Sequence, residues 1–145
     1  MIHSIRRALI LAAVALAVTV SVQAQAPGSA NAADGPAVKR TVLLRHDTSF
    51  PGYEAVLVAV EIPAGGREGR HTHPGLAMIR VDEGTLTLDY EGKPTASYKA
   101  GESFFVEGGK VHEGMNKGAM PVKAIATFII PKGQPVTTQV GGATR

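Results

Sequence analysis

Hydrophobic positions along the chain fall in short blocks cut by glycine and proline, and within several blocks they alternate with polar residues. Leu86, Leu88 and Tyr90 alternate with Thr85, Thr87 and Asp89, the pattern of a strand buried on one face. From Val38 onward the blocks predict strands over 41–45, 55–62, 71–73, 77–82, 85–90, 97–99, 103–106, 111–116 and 122–130. Turn signals separate them at 63–66, 74–75, 101–102, 107–110 and 118–121. Glu83-Gly84 leaves so little chain between two strands that it predicts a tight hairpin. No segment beyond residue 40 has a helical period, so the fold class is all-β, a sandwich or barrel.

The ends of the chain follow other rules. Residues 1–7 are short and basic, 8–20 are apolar apart from Thr19, and small residues follow at 21–26. This is the three-part pattern of a secretory signal peptide, with cleavage expected after Ala24. The apolar run of about 13 residues is too short for the roughly 20 that span a bilayer. The mature chain is therefore expected in the periplasm or secreted, with no stable membrane anchor after cleavage. Residues 25–37 are rich in Pro, Gly, Ala, Ser and Asn and read as a flexible leader; 38–131 form the domain; 132–145 read as a polar, frayed tail.

Composition narrows the chemistry. The 145 residues suffice for one ordinary domain. There is no cysteine, which excludes disulfides, thiolate metal sites and cysteine nucleophiles. The net charge of +3 shrinks once Arg6 and Arg7 leave with the signal, since 13 basic residues then face 12 acidic ones. That balance, the absence of tryptophan and 5% aromatic content point away from nucleic acid. No Ser-His-Asp order and no phosphate-cradling glycine loop is present.

The histidines carry the remaining signal. His71 and His73 are two residues apart, so a strand would put both on one face, about 6.6 Å apart at Cα. Two such imidazoles can reach one metal ion, and His112 becomes a third ligand if its strand pairs nearby. A solvated surface pair has the same spacing. His46 has no comparable neighbours and reads as a surface residue. Binding should weaken as pH falls through about 6.5, where protons compete for imidazole.

Glycines frame these histidines. Gly65, His71, His73 and Gly84 form one motif, and Gly101, Gly109, His112 and Asn116 a second, in that order. The pair resembles the two motifs of the cupin superfamily over residues 38–131, which implies a single-domain β-barrel of jelly-roll type. The resemblance implies His71, His73 and His112 as ligands of one divalent metal ion per chain. Fe2+ is favoured, and Mn2+, Zn2+ or Ni2+ are compatible. The glutamate usual four residues after the second histidine is here Ala77, and the usual proline of the second motif is Glu107, expected in a turn.

Without that glutamate, three neutral imidazoles leave a divalent ion its full +2 charge and up to three open positions. Such a site suits a small enolisable or bidentate oxygen substrate. It resembles the three-histidine dioxygenases among cupins, and no catalytic residue is assigned beyond the ligands. The alternatives are a non-redox metal-dependent isomerase or lyase and a non-catalytic periplasmic binding module. Strand parity sends Ala77, Ile79 and Val81 toward the site and Arg80 away from it, so Ala77 and Ile79 are candidate substrate contacts. Asn116 is either a third such contact or a turn cap. Of Phe104 and Phe105, one should enter the core. The family also implies a homodimer.

Overall fold

The computed structural model describes residues 35–141. The expected signal peptide, 25–34 of the leader and 142–145 of the tail lie outside the described residues. The strands are β1 (Lys39–Asp47), β2 (Tyr53–Ile62), β3 (His71–Thr72), β4 (Leu76–Glu83), β5 (Thr85–Tyr90), β6 (Ala96–Lys99), β7 (Ser103–Val106), β8 (His112–Met115), β9 (Val122–Pro131) and β10 (Thr138–Gln139). Among the described residues no helix is long and apolar enough to cross a membrane.

Two five-stranded antiparallel sheets face each other. The first runs β1-β2-β9-β4-β7 and the second β10-β3-β8-β5-β6. Nearly every connection crosses the gap between sheets, so inward side chains of both build one core, as in a jelly roll. The longest register joins β2 to β9, from Tyr53 opposite Pro131 to Ile62 opposite Val122. Along β9 the residues Val122, Ala124, Ala126, Phe128 and Ile130 are buried while their neighbours are not. Period-two alternation in sequence thus becomes a wet and a dry face.

The strands lie where the hydrophobic pattern predicts them, with two differences. The first concerns Glu83-Gly84. β4 pairs with β7 and β9, and β5 pairs with β6 and β8, so the two strands flanking this turn are not hairpin partners. The turn is a corner that carries the chain from one sheet to the other. Gly84 has φ +78°, and a Cβ there would lie 2.8 Å from the Pro121 carbonyl oxygen. Only glycine serves both the left-handed backbone and the close approach.

The second difference is the tail. Residues expected to fray instead return as β10, with Thr138 opposite Thr72 and Gln139 opposite His71. Phe104 and Phe105 divide as expected: Phe104 packs on the core, and Phe105 is 53% exposed on the outer face. Arg80 points outward and pairs with Asp82 at 3.3 Å.

Candidate metal centre

The three histidines meet because of sheet register. β3 and β8 pair with His71 directly opposite His112, and His73 follows two residues on. Ring centroids are 4.2 Å apart for His71 and His112, 4.8 Å for His73 and His112, and 4.9 Å for His71 and His73. All three are buried, at 2%, 5% and 3% exposure in chain order. One donor atom from each lies within 4.8 Å of the others. His46 is exposed on β1 and is not a member of this group.

Backbone carbonyls fix which nitrogen is available. His71 Nδ1 donates to Gly69 O at 2.7 Å, His73 Nδ1 to Val136 O at 2.7 Å, and His112 Nδ1 to Lys110 O at 3.0 Å. A carbonyl only accepts, so each Nδ1 carries the proton and each Nε2 keeps its lone pair. Burial pushes all three imidazoles below their ordinary range, His73 to about 3. The rings are therefore neutral at neutral pH. Three neutral imidazoles with oriented backs are a donor set that fits a divalent cation. Phe128 packs edge-on against His73 at 4.7 Å and shields that side from water.

The histidines line a cavity of about 190 Å3. Its remaining wall is mostly apolar, from Val58, Val60, Leu86, Leu88, Phe104 and Phe128 among others. Ala124 and Ala126, small residues on the central strand β9, help leave the space open. Ile79 lines it, as strand parity predicts. Ala77, fully buried, faces Phe128 and Val106 across the sheet and is not among the lining residues.

Asn116 is also absent from the lining. Its Nδ2 donates to Ile62 O at 2.9 Å and Met120 O at 2.8 Å, and its Oδ1 accepts from Gly118 N at 2.9 Å. These contacts make it the brace of the 116–120 turn. Glu107 is exposed near Tyr90, whose hydroxyl is 3.4 Å from its carboxylate, and it does not join the histidines.

Two cavity features escape sequence reading. Glu68 brings a carboxyl to the lining, held by Arg40 Nη2 at 2.9 Å. Burial raises its pKa, and Arg40 beside it offsets part of that rise, with His112 a smaller influence. Gly114 makes the room, since a Cβ there would lie 2.3 Å from Glu68 Oε2. The other feature is Val136, whose carbonyl holds His73 across 63 residues of chain. Glu68 sits in a polar stretch of Arg67, Glu68, Gly69 and Arg70 that reads as surface, and a backbone carbonyl leaves no mark in sequence.

Known proteins share this architecture. Residues 58–128 match the family model described as a cupin domain. A protein with a double-stranded β-helix domain from Klebsiella pneumoniae is 23% identical, with TM-score 0.56, over 66% of this chain and 78% of that one. A cupin domain from Bordetella pertussis is 22% identical, with TM-score 0.54, over 65% of this chain and 94% of that one. DMSP lyase DddQ from Ruegeria pomeroyi is 18% identical, with TM-score 0.59, over 70% of this chain and 51% of that one. At these identities the likeness is one of fold. No curated protein matches the sequence.

Proposed function

The chain belongs to the cupin superfamily, and from that premise we propose that it is an exported, metal-binding, dioxygenase-like enzyme. Its substrate is small and enolisable, or otherwise offers two oxygens to the ion. The carrying observation is the set of three backbone-oriented, neutral imidazoles in the wall of a largely apolar cavity. Fe2+ is the ion this reading favours, and it would be held by His71, His73 and His112. When bound, the ion supplies a +2 charge and open positions for an anionic oxygen ligand and O2.

The chain's own residues do the rest. The carbonyls of Gly69, Lys110 and Val136 orient the donor rings. Val58, Val60, Leu86 and Leu88 receive the apolar body of the substrate and keep bulk water out. The cavity limits that body to a small molecule, on the order of ten non-hydrogen atoms or fewer.

A non-redox lyase or isomerase is a second reading, favoured by one group. Glu68 places a half-buried carboxyl of raised pKa on the cavity wall, where it can take up or return a proton from substrate. Export to the periplasm or medium and pairing of two copies belong to the same proposal. The exposed edge strand β1 offers an edge for such pairing.

The test loads the chain anaerobically with Fe2+ and offers β-diketones, small thiols and catechol-like enols at an oxygen electrode. O2 uptake that requires both iron and His112 supports the oxygenase. Turnover with Zn2+ under nitrogen, lost in Glu68→Gln, replaces it with the non-redox enzyme. Tight ligand binding without turnover on iron, manganese or zinc leaves only a binding module.

A further inference from the structure

The segment after Gly133 touches nearly every residue of the stretch that carries two of the three imidazoles. Val136 O accepts from His73 Nδ1 at 2.7 Å. Thr138 and Gln139 pair with Thr72 and His71, and Val140 N donates to Arg70 O at 2.9 Å. Gln139 Nε2 reaches Glu68 O at 3.4 Å. The Gln139 side chain also packs on Gly69, where a Cβ would lie 3.0 Å from its Oε1; Gly69 O in turn holds His71. Val136 and Thr137 themselves line the cavity.

We propose that residues 136–140 form a docking strap that positions the metal ligands and closes the cavity. Undocking it frees the back of the His73 ring and opens a side of the cavity to solvent. The inference rests on the reading of the histidines as a metal site and adds the device that controls access to it.

The strap is built to move. β10 is two exposed residues long, too short to be stable alone, and its contacts are mostly single hydrogen bonds. It joins β9 through a turn at Gly133, which has φ +75°. β3 is equally short and shares a single register pair with β8, so β10 supplies much of what holds it in the sheet.

A reversible clip tests this in the full chain. Thr72 and Thr138 are opposite in register, which places their Cα atoms about 4.5–5.5 Å apart, within reach of a disulfide. The chain has no other cysteine to interfere. In Thr72→Cys/Thr138→Cys, oxidation should slow the release of Zn2+ to a chelator by about tenfold or more relative to the same protein reduced. A chain ending at Pro135 should bind Zn2+ about 10–100-fold more weakly, the effect usual for losing an outer partner of a ligand. Its His73 ring-nitrogen NMR shifts should also lose the Nδ1–H signature in the absence of zinc.

Equal release rates in oxidised and reduced protein, with unchanged His73 shifts in the shortened chain, overturn the strap and leave the metal site standing. Failure of the unaltered chain to bind Zn2+ or Fe2+ overturns the metal reading instead, and the zinc-free His73 shifts then decide the strap alone. If the shortened chain does not fold, the clip decides.

Discussion

His71 and His112 face each other across β3 and β8, with ring centroids 4.2 Å apart, although 41 positions separate them in sequence. The pairing register alone brings them together. A slip of one residue would turn His112 to the other face of its strand, so the site and the sheet are specified together.

Acid should destabilise the metal-free fold through these rings. Burial depresses all three below the 6.5 of an ordinary histidine, His73 to about 3. Between those values the unfolded chain binds more protons, so stability is complete above about 6.5 and falls as pH drops. The slope reaches about 1.4 kcal/mol per pH unit for each proton taken up. Glu68 works the other way above its ordinary 4.5, because its folded pKa is raised, so Glu68→Gln should steepen the loss. Urea midpoints of metal-free protein from pH 4 to 8 measure this; a flat profile contradicts it. Proton competition with metal should correspondingly set in below the 6.5 that free imidazole suggests.

Asn116 should matter for the fold and not for the metal. Asn116→Ala removes three hydrogen bonds and leaves the buried Ile62 carbonyl without its side-chain partner. A loss of about 1–3 kcal/mol follows. Thermal unfolding should show it, while Zn2+ affinity per folded molecule stays within about twofold. A large affinity loss at unchanged stability would make Asn116 part of the site.

Gly114 and Glu68 should be energetically coupled. In Gly114→Ala the new methyl meets the Glu68 carboxyl, which must leave its place, and overpacking of this kind costs about 1–3 kcal/mol. Placing the same change in a Glu68→Ala background should recover most of that. A double-mutant cycle measures the coupling; simple additivity would mean that the carboxyl does not occupy the space over Gly114.

Much of this arrangement is legible in sequence because strands advertise themselves by period. Val122 to Ile130 alternates in burial as it does in chemistry, and the His71–His73 spacing survives folding unchanged. What stays hidden is tertiary. Glu83-Gly84 has the composition of a hairpin turn, and only the packing of Gly84 on Pro121 makes it a corner between sheets. Thr138-Gln139 is polar and two residues long, so its place beside β3 depends on a partner that sequence does not name. Glu68 is an acidic residue in a charged stretch until Arg40 pairs with it and Gly114 leaves room for its carboxyl at the cavity.

Metal content measured directly tests the central claim. Elemental analysis of the purified protein, supplied with Fe2+ or Zn2+ and desalted, should give one ion per chain. His71→Ala, His73→Ala and His112→Ala should each lose most of it, while the exposed His46→Ala keeps it. Full occupancy in His112→Ala, or no ion bound by the unaltered chain, would contradict the three-histidine centre.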